Sequence, residues 1–324
     1  MTFCGELRTL PAMARVQPHF PKLVDPSGVN CSNQPRDIGI TTDQTRAYAV
    51  KQTDGQPQVQ FGGTSNPYVD YQFIDLLHTM QAPRSNAYDE TCFLVMGQVK
   101  ELLFNALHFE LYNAKHQIEK DEVIEAIRMI SRARTITTYI AHSWDVLSTI
   151  TADGFNEFRD SLGQASGQLS FMYRHVEFIL GNKSARLARA HSNIPHVWPK
   201  MKEALESQSL YDSVIALLAR RGYALDAKAL SRDWSQPYEH NASVEAAWLD
   251  IYRQAKTDNQ LYELGEALVT LDDHIGQYRW RHFTSVSRII GHKPGTGGSA
   301  GVGWLRHVTE HRFFPELWSL RTSL

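Results

Sequence analysis

YDETCFLVMGQVKELLFNALHFEL, residues 88–111, decides the fold class. Met96, Val99, Leu103, Ala106, Leu107 and Glu110 recur at steps of three and four, the spacing that puts side chains on one face of an α-helix. A second run of the same period, Val123, Ile127, Ile130, Ile140, Trp144 and Leu147, follows it across Lys120-Asp121. Two long amphipathic helices joined by a turn are therefore predicted. Towards the C-terminus, two further elements are punctuated by Gly163 and Gly181, and helices are predicted over 200–207, 210–221 closed by Gly222, 243–256 and 259–290. The last segment, FFPELWSLRTSL (313–324), places proline at a first helical position ahead of an apolar face and reads as a docked terminal helix. No strand run of comparable strength and no internal repeat is present. The class is all-α, a helical bundle.

Towards the N-terminus the composition changes. Residues 1–66 are rich in Pro, Gly, Gln, Asp, Asn and Thr, and their only strand-like run is QPQVQF (56–61) ahead of Gly62-Gly63. This stretch is expected to be an irregular arm, either disordered or packed on another subunit, with residues 67–324 as the all-α domain.

The totals narrow the function classes. With 324 residues, 42% of them hydrophobic, the chain can bury a large core. Lys and Arg total 33 against 35 acids, a net charge of −2, which leaves no electrostatic footprint for nucleic acid or an anionic membrane. A small molecule or a second copy of the chain is the expected partner. The three cysteines, Cys4, Cys31 and Cys92, form no CxxC, and their spacing suits neither zinc nor a disulfide framework, which favours a reducing compartment. The first twenty residues lack a basic start followed by an apolar run, and no later segment reads as a membrane span. A cytoplasmic protein is expected.

One stretch stands apart: GHKPGTGGSAGVGWLRH (291–307), six glycines in seventeen positions between helical segments. It lacks the GxxxxGK[ST] order of a P-loop, and no strand precedes it as dinucleotide binding requires. Two readings remain, a plain surface connection, or a loop whose glycines let the backbone approach a ligand while Thr296 and Ser299 offer hydroxyls.

Three segments carry a resemblance. Residues 88–111, FNEFRDSLGQASGQLSFMYRHVEFILGNK (155–183) and YRWRHFTSVSRIIGHKPGTGGSAGVGWLR (278–306) resemble, in order and spacing, the tryptophan 2,3-dioxygenase superfamily. Its members are all-α heme proteins, usually homotetrameric. The likeness spans about residues 66–324, and the FRDxLGxASG and KxGTGGSxG patterns are its most specific parts. The resemblance implies heme b, with its iron held by His282 in WRHF, and Trp144 beside the heme. It implies Arg159 for the substrate carboxylate, Thr296 for its ammonium, and Phe93, Phe155 and Leu162 as apolar pocket wall. Tyr68 and Tyr71, in NPYVDYQF, resemble tyrosines of a helix that reaches into a neighbouring subunit's pocket, so a homo-oligomer, tetramer or dimer, is expected. The residue chemistry agrees, because neutral imidazole ligates heme iron and a planar guanidinium clamps a carboxylate.

One departure matters. The family motif has a distal histidine that meets the indole N–H, and aligning CFLVMGQVKELL on it puts Gly97 there. Tyr88 also stands where many members have histidine, and Leu103 replaces the tryptophan of ELW. The sequence reading is a heme oxygenase that uses O₂ or peroxide to add oxygen at indole C2 or C3 of tryptophan or a substituted tryptophan. It leans towards specialised metabolism and leaves one or two oxygen atoms open. The alternatives are an ordinary dioxygenase forming N-formylkynurenine, a non-catalytic heme sensor or carrier, and a helical bundle without cofactor.

Overall fold

The structure, a computed structural model of the chain, describes residues 36–61, 66–254 and 259–324. Cys4, Cys31, most of the arm, the Gly62-Gly63 boundary and the expected helix end at Lys256 lie outside the described residues. In chain order the helices are α1 (Asp43–Gln52), α2 (Pro67–Gln72), α3 (Ile74–Leu77), α4 (Tyr88–Glu119), α5 (Val123–Leu147), α6 (Ala152–Arg159), α7 (Phe171–Ile179) and α8 (Ala185–Ala188). They continue as α9 (Trp198–Glu206), α10 (Leu210–Arg220), α11 (Ala227–Leu230), α12 (Ala242–Arg253), α13 (Gln260–Ile290), α14 (Val302–Thr309) and α15 (Pro315–Ser319). Among the described residues there is no strand. QPQVQF forms none, since no second extended segment is there to take up its backbone hydrogen bonds.

The α4–α5 turn falls where the sequence puts it. Asp121 takes the left-handed conformation at φ 67°, which a short polar side chain tolerates, and the Glu122 N–H donates to the Gln117 carbonyl at 2.9 Å. So short a connection makes α4 and α5 antiparallel neighbours. α5 packs against both α4 and α13, α7 and α10 cover α4, and α14 lies on α13. The buried stripe of α4 is Phe104, Leu107, Leu111, Ala114 and Ile118. Ala106, expected in that stripe, is exposed, while Met96 and Leu103 are half-buried and Glu110 is buried beside Arg132 at 3.0 Å.

The C-terminal segment docks, but its helix spans only α15, followed by a 3-10 turn over Leu320–Thr322. Two buried carboxylates hold it. Glu316 accepts the hydroxyls of Tyr211 at 2.9 Å and Tyr238 at 2.7 Å and the Asn241 N–H at 2.7 Å. Asp272 on α13 accepts the Phe313 N–H at 3.0 Å and the Trp318 indole N–H at 2.9 Å. The arm also differs from its reading as wholly irregular, because α1 lies within it. Thr42 caps α1 by exchanging hydrogen bonds with Thr45, and no α1 residue is buried. Among the described residues no helix is long and apolar enough to cross a membrane.

Candidate active site

The N-terminal half of α4, the end of α5, α6 and the C-terminal half of α13 enclose one side of a cavity of about 810 Å³, which the loop over 291–301 and α14, the helix formed by the rest of the glycine-rich stretch, close on another. Of the candidate site residues read from sequence, Phe93, Gly97, Trp144, Phe155, Arg159, Leu162, His282 and Thr296 line it, and Ser299 of the glycine-rich loop does too. Tyr68 and Tyr71 do not; on α2 they are 64% and 72% exposed. Tyr88 lies exposed at the start of α4, and Leu103 packs against the core instead of lining the cavity.

The apolar wall is aromatic. The rings of Phe93, Phe155 and the buried Phe158 meet at centroid distances of 5.8, 5.5 and 5.1 Å. Gly97 opens this wall, since a Cβ built there meets nothing within 4 Å. Glycine inside a helix costs about 0.5–1 kcal/mol relative to alanine, so open volume is what the residue contributes here.

Trp144 and His282 face each other, their rings stacked at 4.3 Å with 13° between planes. Burial, with the Lys100 ammonium adding to it, pushes the imidazole pKa down to about 3 and keeps it neutral, the form that ligates iron. Among the described residues the Trp144 indole N–H, although buried, has no hydrogen-bond partner. Lys100, one turn beyond Gly97 on α4, places its ammonium 3.9 Å from the Trp144 ring. Burial outweighs the nearby Glu101 charge and pulls its pKa down to about 8.

The glycine-rich loop is docked on the segment that follows α6. Arg159 donates from Nη2 to the Pro294 carbonyl at 2.7 Å, Thr296 donates to the Ala165 carbonyl at 2.8 Å, and Gln168 donates to the Gly297 carbonyl at 3.0 Å. Two glycines are required by this path. A Cβ on Gly297 would come within 2.7 Å of Ser166, and Gly301, at φ 60°, would put one 2.6 Å from the Lys293 carbonyl oxygen. The two most specific sequence motifs thus meet across the cavity, and the buried Nε of Arg159 remains without a partner.

Sequence reasoning missed a buried ionic group that lines the same cavity. Glu177 on α7 joins Arg174 through one oxygen and Arg279, at 3.0 Å, through the other. Arg279 also reaches the carbonyls of Val308 and His311, both at 3.4 Å, tying α13 to the end of α14. Its place three residues before His282, where an α13 residue faces inward, was the available signal.

Comparison with known proteins decides the family. The model of the family described as tryptophan 2,3-dioxygenase matches residues 52–194 and 189–324. The chain belongs to the tryptophan 2,3-dioxygenase family. Tryptophan 2,3-dioxygenase 1 of Ralstonia nicotianae is 44% identical over 260 residues, covering 80% of this chain and 88% of that protein. Tryptophan 2,3-dioxygenase of Bacillus cereus is 43% identical over 257 residues, covering 79% and 92%. Tryptophan 2,3-dioxygenase of a Polaromonas species is 41% identical over 288 residues, covering 89% and 96%. As a member of the tryptophan 2,3-dioxygenase family the chain is a heme-dependent oxygenase, an oxidoreductase.

Proposed function

We propose that the protein holds heme b on His282 and oxygenates the indole ring of L-tryptophan, with the amino-acid end gripped by Arg159 and Thr296. The observation that carries this reading is the docking of the glycine-rich loop on the 156–168 segment, which brings Arg159 and Thr296 to the cavity that also holds His282. The residues present fit the cofactor: a neutral, half-buried imidazole, a cavity of about 810 Å³, and an unpartnered donor at Trp144. When bound, heme supplies the iron that activates O₂ or peroxide.

The chain's own residues do the rest. Arg159 offers its free Nε–H to the carboxylate while Nη2 keeps the loop in place. The Thr296 hydroxyl spends its proton on the Ala165 carbonyl, so its lone pairs are left to accept from an ammonium N–H. Phe93, Phe155 and Leu162 pack the indole and exclude water. At Gly97 no side chain exists to accept the indole proton, so the protein acts through orientation.

The sequence reading put oxygenation of tryptophan or a substituted tryptophan in specialised metabolism first, with one or two oxygen atoms left open. The named relatives favour the ordinary reaction, two oxygen atoms added to tryptophan to form N-formylkynurenine, and that reading takes first place here. The open space at Gly97 favours a second reading, in which the substrate is a bulkier, substituted tryptophan. Mass spectrometry of reactions with tryptophan and with its ring- or β-methylated forms separates them: tryptophan plus two oxygens is expected, and turnover of the methylated forms alone would overturn it. His282→Ala is expected to lose the Soret band of bound heme; an unchanged spectrum would remove His282 as ligand. We also propose a homo-oligomer, tetramer or dimer, in which the exposed Tyr68 and Tyr71 of one protomer enter a partner's cavity. Light scattering that finds an active monomer would contradict it.

A further inference from the structure

Lys100 stands out among the cations enclosed along the cavity, from which the exposed Arg186 is set apart. Arg159 meets the Pro294 carbonyl, Arg174 and Arg279 meet Glu177, and the buried Lys183 donates to the carbonyls of Ala204 and Ser207 at 2.5 and 2.8 Å. Lys100 lines the same cavity, yet among the described residues its ammonium touches no oxygen and rests only on the Trp144 ring at 3.9 Å. The neighbouring Glu101 lines the cavity too, but it forms no ion pair with Lys100, and its charge offsets the burial of the ammonium only in part. A desolvated ammonium with only a π-face is poorly compensated, since burying a charge is costly unless a counter-charge accompanies it. The ring beneath it has a second unmet need: Trp144 is 8% exposed and its indole N–H is without an acceptor. A cation and a neutral donor, both unmet and side by side on one wall, call for an anionic acceptor with two oxygens. Trp144 stacks on His282, so that acceptor would lie beside the residue proposed to hold the cofactor.

We propose that Lys100 and the Trp144 indole N–H form a carboxylate site for a propionate of the bound porphyrin, an inference that rests on the heme reading above. In this arrangement the ammonium neutralises the carboxylate at the edge of the macrocycle, and Trp144 fixes both the His282 ring and the propionate. Gly97 keeps the adjoining helical turn clear, because a Cβ there meets nothing within 4 Å.

The test uses the holoprotein loaded with hemin or with hemin dimethyl ester, whose propionates are uncharged, and follows release to an excess of apomyoglobin. The parent is expected to release the ester roughly tenfold or more faster than hemin, the scale of one charge-assisted hydrogen bond. Lys100→Met should collapse that ratio by about the same factor, chiefly by speeding hemin release, and Lys100→Arg should restore it. An unchanged ratio in Lys100→Met overturns the proposal. So does an unchanged ratio with weaker tryptophan binding, which would assign the carboxylate to the amino acid instead. Should Lys100→Met fail to fold, a parent ratio near one, or Lys100→Arg with a ratio far from the parent's, overturns it equally. A parent that takes up neither porphyrin fails the heme reading itself, a result distinguishable from a parent that binds both alike.

Discussion

Replacing Arg159 by leucine removes the guanidinium that faces the cavity and also cuts the loop loose from Nη2. Loss of a charge-assisted hydrogen bond costs about 1.5–3 kcal/mol, so tryptophan binding should weaken roughly ten- to a hundredfold, read by calorimetric titration. Binding as tight as the parent's would place the clamp elsewhere. Gly97→His fills open space without a clash at Cβ. It should therefore lower turnover of methylated tryptophans more than that of tryptophan itself, scored by product mass in a competition between the two. An unchanged preference ratio would mean that another part of the pocket sets specificity. That Arg159, Thr296 and His282 line one cavity could be anticipated because each lies in a motif whose order and spacing are distinctive. The place of Lys100 could not, because a lysine on a half-apolar helix face has the same sequence signature as a solvated one, and only the tertiary fold tells which way it points.

At the scale of elements, the loop is the part whose residue types follow most directly from geometry. Gly301 combines φ 60° with a carbonyl oxygen 2.6 Å from where a Cβ would be. Gly301→Ala should cost about 1–3 kcal/mol of local strain and shift the loop away from the 165–168 segment. KM for tryptophan is expected to rise about tenfold with the far-UV circular dichroism spectrum unchanged; an unaltered KM would show that the loop tolerates the displacement. Periodicity put the α4–α5 turn and the ends of α13 within a few residues of where they lie, since α5, α13 and the C-terminal half of α4 each bury an apolar stripe. It misjudged which α4 residues face inward, including Ala106, because a helix covered by α5, α7 and α10 is buried on more than one side. It missed α1, whose stability comes from the Thr42 cap and not from any apolar face.

At the scale of the molecule, several imidazoles are buried neutral. Burial pulls His108 down to about 3 and His175 and His311 to about 4, from an ordinary value of 6.5. Below pH 6.5 the unfolded chain binds protons that the folded chain refuses, so stability falls as the pH drops, by up to about 1.4 kcal/mol per pH unit for each group. The loss should run from about pH 6.5 down towards 4, where the folded imidazoles begin to protonate as well. Urea midpoints at pH 7.5, 6 and 5 test this, and a flat series would contradict it. Neither these groups nor the Glu177 ion group could be read from sequence, because histidine, arginine and glutamate are ordinarily surface residues and only packing between distant helices encloses them. The contact between the glycine loop and the 156–168 segment joins parts of the chain about 130 positions apart, and on the proposed reading its consequence is stereochemical. Arg159 and Thr296 come from opposite sides of that seam, and the aromatic wall supplies a third point. Three fixed points around one carbon distinguish its mirror images, so the enantiomer with carboxylate and ammonium exchanged meets a hydroxyl where it needs a cation. The seam thereby sets the handedness of the amino acid that the cavity accepts.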